Sequence, residues 1–592
     1  MPATLESQLS NNMAKNRRQR PTPTRRFVRP EPSLNLPPKD CLRIIPIGGN
    51  EEVGRNCTIF EYGNDIIILD MGVQFPEEDM PGVDYIIPNL SYLKGKERRI
   101  RGVIFSHGHL DHIGASAILL EQLGYPQIAG RPLTLAMIKH RVEDYQKGAA
   151  KNLRTIVIKK VTDRLRLGAF QISFFPVDHS IMDAVGVVIQ TPHGSVIHPG
   201  DWTYEKDPVG RQSIEYTQLR NVPKPSILML ESLGSMSTKE RVPERVMYAN
   251  LEKLVREAPG RLIIGTFSSQ LERIKHLLEF AQKLGKKVAL DGFSMKTNVE
   301  IAKQLGYIQM RKELLIPIDR IHDYPDRRVI ILCTGAQGES NAALSRIVNG
   351  DHRTVKIRKT DTIVFSSSVI PGNERTIQRL KDNLYRLTDN VIHSDIMDVH
   401  TSGHSTATDM MAVLKQIRPT FFLPVYANHY FLKEAQKLAL REGFPKDKSF
   451  VLDNGNVLEF THGKPKLYPQ KVRTDYVFVD GLGVGDVSNV VLSDRQTLAS
   501  DGMVVVIAKV ERTTGKLVND LHIITHGFVY AKTNTRLLEE IKKKVHALLK
   551  DVDKRTGVNE GYLSTRLRDG LGTFLFQKTE RRPMIIPVIL DV

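Results

Sequence analysis

Short apolar runs broken by glycine open the patterned part of this chain. Residues 42–47, 57–60 and 66–70 each read as a buried strand, since brief continuous apolar stretches bounded by turn residues fit strands covered on both faces. Val103-Ile104-Phe105 is a further strand, 115–123 has helical spacing, and 170–177 alternates with period two. From about 238 the rhythm changes. Strands at 261–266, 287–290, 328–333 and 362–365 alternate with amphipathic stretches such as 271–284 and 297–305, the βα pattern of a parallel sheet. After 470 the pattern is mixed until a closing segment with strands at 503–510, 522–530 and 584–589 and a helix at 535–549. The predicted organisation is therefore a basic tail over 1–40 and the first part of a sandwich domain over 41–237. An inserted α/β domain follows over 238–395, and a return segment completes the sandwich over 396–475. A linker over 476–490 leads to a C-terminal α/β domain over 491–592.

Composition narrows the class. At 592 residues the chain exceeds what one core serves, which predicts several domains. An apolar fraction of 41% with 25% charged residues is that of a soluble globular protein. No apolar run reaches bilayer length, and the first residues lack the apolar core of a secretory signal. Three cysteines without a C-x-x-C pair argue against a disulfide framework or a cysteine zinc site, and fit the cytoplasm. Lysine plus arginine number 84 against 66 acidic residues, an excess of 18 that favours a polyanionic partner. In the tail, Lys15, Arg17, Arg18, Arg20, Arg25, Arg26 and Arg29 are interleaved with prolines. That is the composition of a disordered basic arm, serving either as an RNA tether or as a solvated tail.

The chemistry concentrates in Ser106-His107-Gly108-His109-Leu110-Asp111-His112-Ile113-Gly114, directly after a predicted strand. Imidazoles and a carboxylate suit zinc or manganese. At a strand end this spacing lets His107 and His109 point one way while Asp111 and His112 face a second position, so two adjacent cations are expected. Asp70 ends its strand at a turn, where it can orient a metal-bound histidine from behind. Further along, strand ends deliver His179, able to complete the first position, and Asp201, able to bridge both. Ser366, Ser367 and Ser368 before a Pro-Gly turn, and the loop His400 to His404, bring together hydroxyls and backbone N–H groups of the kind that cradle anions. Arg353, Lys356, Arg358 and Lys359 read as a charged strand edge, facing a nucleic-acid backbone or solvent.

Taken together, these residues resemble the ribonuclease J family, metallo-β-lactamase/β-CASP ribonucleases of bacteria. The resemblance runs over about 42–592. It rests on Gly48-Gly49 through Asn56, Asp70, the 106–114 loop, His179-Ser180, Gly200-Asp201, Gly265-Thr266-Phe267 with Ser269, Gly335 to Arg346, Ser366 to Glu374, and His400 to His404. It implies an α/β fold: a metallo-β-lactamase αββα sandwich with an inserted α/β β-CASP domain and a small C-terminal α/β domain. It further implies two Zn2+ per subunit, with Mn2+ or Mg2+ as alternatives. His107, His109, His179 and Asp201 would hold the first, and Asp111, His112 and Asp201 the second. His404 would be the general acid, and Ser269, Gln270, His400, Thr401, Ser402, Gly403 and His404 would line the RNA cleft. The implied activity is 5′-to-3′ exonucleolysis of single-stranded, 5′-monophosphate RNA with endonucleolytic cuts, in RNA maturation and mRNA decay. The implied assembly is a homo-dimer or tetramer, or a hetero-oligomer with a paralogue, with no membrane partner. One departure stands out. The family's last zinc histidine lies in a Pro-x-His-Gly-Glu turn, which here reads Pro424-Val425-Tyr426-Ala427-Asn428-His429. Tyr426 occupies the ligand position, and His429 replaces it only if the turn is rearranged. The second metal site is thus expected to be weakened, and the alternative reading is a catalytically impaired, RNA-binding partner subunit.

Overall fold

The computed structural model describes residues 37, 40–77, 79–205, 214–336, 342–369, 373–487, 489–511, 517–518, 521–529, 534–550 and 560–591. The expected basic tail over 1–40 falls outside these residues except at positions 37 and 40. An eight-stranded sheet runs in the order Lys464–Leu467, Leu458–Thr461, Cys41–Gly48, Cys57–Tyr62, Asp65–Leu69, Ile100–Ile104, Ile128–Gly130, Thr155–Val157. A six-stranded sheet has the order Phe421–Val425, Ser226–Glu231, Gly194–His198, Val185–Thr191, Phe170–Pro176, Arg164–Leu167. The two face each other across one core. Ile44, Phe60, Ile67 and Ile104 from the first sheet meet Ile172, Val187, Val196, Ile227 and Met229 from the second.

Strand periodicity decides what lies on the other side. In Ser226–Glu231, Ile227 and Met229 face the sandwich core while Leu228 and Leu230 face outward, where Met410, Leu414, Ala435 and Ala439 of two helices cover them. Both faces of that strand are buried, which is why it reads as a continuous apolar run. On the first sheet, the helix Pro132–Tyr145 lies against Ile128–Gly130 and Thr155–Val157.

Between these sandwich strands the chain builds a parallel five-stranded sheet. Its order is Lys287–Asp291, Val329–Cys333, Leu262–Gly265, Thr362–Phe365, Val391–Ile392. The helix Leu271–Lys283 makes the crossover into Lys287–Asp291, and Phe293–Gln304 follows that strand. The C-terminal sheet, His522–His526, Met503–Val510, Met584–Asp591, packs on Thr535–Lys550 and Glu560–Thr579. No helix among the described residues is long and apolar enough to cross a membrane.

Two expectations need correcting. The stretch 476–490 is not an irregular connection: Val477–Asp480 pairs with Gly483–Val484 and with Tyr85–Ile87, and a helix begins at Asn489. Residues 353–359 form no strand; Arg358 is paired with Asp326 and Lys356 donates to the Gly350 carbonyl, so this is an exposed, internally paired loop. The helix expected over 115–123 is present as Ser116–Gln122, capped by Ala115 and Leu123, and a separate single turn, Leu110–Ile113, precedes it.

Candidate metal centre

Asp65–Leu69 and Ile100–Ile104 are parallel neighbours, so their C-terminal ends deliver Asp70 and the 105–112 loop side by side. Asp70 sits at φ 63°, a conformation Asp tolerates, and this turns its carboxylate back under the loop. It accepts from the Ser106 N–H (2.8 Å), the Ser106 hydroxyl (2.9 Å) and His112 Nδ1–H (2.8 Å). The loop is further clamped by Met71 N–H to the His112 carbonyl (2.7 Å) and Val73 N–H to that of Leu110 (3.0 Å). Gly72 is obligatory here, since a Cβ would lie 1.5 Å from the Asp111 carbonyl oxygen.

Donor atoms of His107, His109, His179 and Asp201 lie within 4.8 Å of one another, and so do those of Asp111, His112 and Asp201. Asp201 serves the groups with different oxygens: Oδ1 is 3.2 Å from His112 Nε2, and Oδ2 is 3.9 Å from His107 Nε2 and 4.0 Å from His179 Nε2. The hydrogen bonds behind the rings assign the tautomers. His179 Nδ1–H donates to the Gly403 carbonyl (2.8 Å), and His107 Nδ1 meets the Ser106 hydroxyl (3.0 Å), whose own proton goes to Asp70. Both rings therefore aim an Nε2 lone pair at His109 Nδ1, at 3.0 and 3.1 Å. One N–H on His109 Nδ1 serves at best one of these two lone pairs well, whereas a cation among the three nitrogens serves all of them, so the donor set fits a metal ion.

Electrostatics agree. Burial and the neighbouring imidazoles hold His107 and His109 well below the usual range, and burial brings His179 down to about 4, so all three rings are neutral at pH 7. Burial works against a proton on His112, but Asp201, Asp111 and Asp70 outweigh it and push the ring well above its usual value. Burial raises Asp201, yet His112 and His107 hold it far below the ordinary carboxylate range. Both shifts show that the carboxylates of the second group favour positive charge between them.

His404 is partly exposed, with its ring 5.8 Å from that of His179 and Nδ1 3.7 Å from Glu231 Oε1. Burial opposes its charge, but the Glu231 carboxylate prevails and lifts it to about 9. Glu231 was not singled out in the sequence, although it ends an apolar strand as Asp70 and Asp201 do. His198 is similar: buried at a strand end, it accepts the Gly200 N–H (3.0 Å) and shapes the turn into Asp201.

Tyr426, only 4% exposed, packs in the sandwich core with its ring edge-on to His112 at 5.4 Å. Burial and the Asp70 and Asp201 carboxylates hold its phenol well above the usual range, so it stays neutral. His429 does not take its place: it starts the next helix, half exposed, with Nδ1 2.6 Å from Asp453. The first group has four donors and the second three.

Beside the donors lies a small polar cleft lined by His179, Ser180, Arg241, Arg273, Glu244 and Glu272 among others. Arg273 is buried and donates to the Ser366 carbonyl (2.6 Å) and His400 Nδ1 (2.9 Å). Arg241 donates to the Ser402 carbonyl (2.6 Å) and pairs with Glu205. Neither arginine was marked by the sequence, where Arg273 reads as the polar face of an amphipathic helix. The triplet 366–368 is less available than expected. Ser366 Oγ donates to the Val399 carbonyl (2.7 Å) and Ser367 Oγ to that of Ala336 (3.3 Å); Ser368 is exposed. Thr401 Oγ1 is committed to the Val242 carbonyl (2.7 Å). Gly403 is a close-approach position, where a Cβ would lie 2.6 Å from Ser180 Oγ. Ser269 is half-buried in the turn before Gln270.

A sandwich of two sheets with histidine and aspartate donors gathered at its strand ends is a metallo-β-lactamase-type scaffold, and residues 50–224 match the model of the metallo-beta-lactamase superfamily. Residues 259–384 match the beta-CASP domain of ribonuclease J and 490–592 its C-terminal domain. "Ribonuclease J 1" of Streptococcus pyogenes is 34% identical over 563 residues, covering 94% of this chain and 99% of that protein. "Ribonuclease J2" of Bacillus subtilis is 32% identical over 555 residues, covering 93% and 99%. The chain belongs to the ribonuclease J family.

Proposed function

We propose that this protein is a metal-dependent ribonuclease that hydrolyses phosphodiesters of single-stranded RNA in the cytoplasm, as a 5′-to-3′ exonuclease with endonucleolytic activity. The observation that carries this reading is the pair of donor groups sharing Asp201 beside an arginine-lined cleft. Zinc is the cation that three imidazoles and a carboxylate suit best, with manganese or magnesium as alternatives. When bound, two such cations activate water and neutralise charge developing at phosphorus.

The chain's own groups account for the rest. His107, His109, His179, Asp111, His112 and Asp201 hold the cations, and Asp70 orients His112 from behind. His404, charged and facing Glu231 through Nδ1, keeps a proton on Nε2 for the departing sugar oxygen. Arg241 and Arg273, with Gln270, Ser269, Ser368 and the His400–His404 loop, receive the 5′ nucleotide and its monophosphate, guanidinium groups being suited to phosphate. A homo-dimer or tetramer is the assembly proposed. Six donors in place do not favour the impaired partner-subunit reading. The test is to count metal on the purified protein and follow a 5′-monophosphate RNA. Decay that stops on chelation and returns with zinc is expected; intact RNA with metal-loaded protein overturns the reading.

A further inference from the structure

The helix Phe293–Gln304 of the inserted domain lies against Pro132–Tyr145 of the sandwich, and its first residue is unusual. Phe293 is 75% exposed, at a turn made by Gly292 at φ 108°. Single exposed apolar residues are ordinary, but this one has a specific setting. Its ring stands 6.5 Å from that of His140, which is fixed by Asp144 one turn on (3.1 Å). Lys296 and Lys139 are exposed nearby; Lys296 makes only a long 3.9 Å pair with Asp291, whose other oxygen is taken by His352.

This place is continuous with the metal centre. One turn before His140, Met137 closes on Gly108 in the metal loop, with its sulfur 2.8 Å from where a Cβ would lie. One residue after it, Arg141 donates to the Gly114 carbonyl at the loop's end. At the far end of the 293–304 helix, Tyr307 donates to Asp183 (2.7 Å), four residues beyond His179. The seam between the two domains thus runs from a metal histidine to Phe293, about 20 Å by helix rise.

We infer that Phe293, flanked by His140, Lys139 and Lys296, is a base-stacking shelf for the single RNA strand where it crosses this seam outside the metal centre. An exposed aromatic face beside exposed lysines is the arrangement that binds single strands without sequence preference, one element stacking and the other meeting phosphates. The inference rests on the proposed ribonuclease reading.

The test uses metal-loaded full-length protein and two RNAs, a dinucleotide too short to reach Phe293 from the metal centre and an oligonucleotide long enough to pass it. Phe293→Ala should lower kcat/KM for the long RNA about tenfold relative to the dinucleotide, within what one base–aromatic stack supplies. It should also abolish quenching of 2-aminopurine placed along a nuclease-resistant 2′-O-methyl RNA, and Phe293→Trp should restore the quenching. A Phe293→Ala protein with an unaltered substrate ratio and intact quenching overturns the shelf. So does a change in sedimenting mass, which would mark Phe293 as a protein contact. If the unsubstituted protein neither binds nor cleaves RNA, it is the ribonuclease reading that fails.

Discussion

At the scale of single residues, two side chains set the behaviour of the centre. The Glu231 carboxylate holds the His404 imidazolium up to about 9, so the acid form is present at neutral pH and lost as pH rises through that value. Glu231→Gln removes the charge that raises it, and the alkaline limb of the pH–rate profile should fall towards the ordinary imidazole value of about 6.5. An unmoved limb would dissociate it from His404. Tyr426 acts by what it fails to supply. As a neutral, buried phenol beside His112 it leaves the second group with three donors. Tyr426→His should raise the metal bound per chain and tighten the more weakly held cation; equal metal content in both proteins would show that the fourth donor is not limiting.

At the scale of elements, much of the fold was legible because the strands that position the site are buried on both faces. Ile66 to Leu69 and Val103-Ile104 announce themselves as apolar runs, and Asp70 and Asp201 follow as polar residues just beyond strand ends, whereas the strand before Glu231 went unread. The donors were readable because ligand chemistry demands few residue types at tight spacing. What escaped lacks a local signature. The helix Glu560–Thr579 buries Leu563, Leu567, Leu571 and Leu575 at a spacing of four, but Gly561, Gly570 and Gly572 break its apparent propensity. Gly570 is explained only by the fold, since a Cβ there would lie 2.7 Å from Leu548 of the neighbouring helix. Arg273 and Arg241 were hidden for a related reason. Their roles depend on Ser366, His400 and Ser402, which are remote in sequence.

At the scale of the whole molecule, distant parts of the chain are joined in one buried polar network. Arg43 on the first strand bonds Glu61 (3.0 Å) and Glu459 (2.6 Å), while Tyr92 (2.6 Å) and Arg99 (2.5 Å) also reach Glu61. Removing one member strands buried charge. Arg43→Ala should therefore cost about 3–5 kcal/mol, read as a lower denaturation midpoint; a loss under about 1 kcal/mol would show that the remaining groups rehydrate.

The pairing of Glu459 with Arg43 has a temporal side. Chains are made from the N-terminus, and two strand pairings near the edges of the sandwich sheets form only with late residues: Phe421–Val425 beside Ser226–Glu231, and Leu458–Thr461 beside Cys41–Gly48. A growing polypeptide therefore carries Asp201, the last of the six candidate donors, well before residues 421–467 complete the two sheets that frame it.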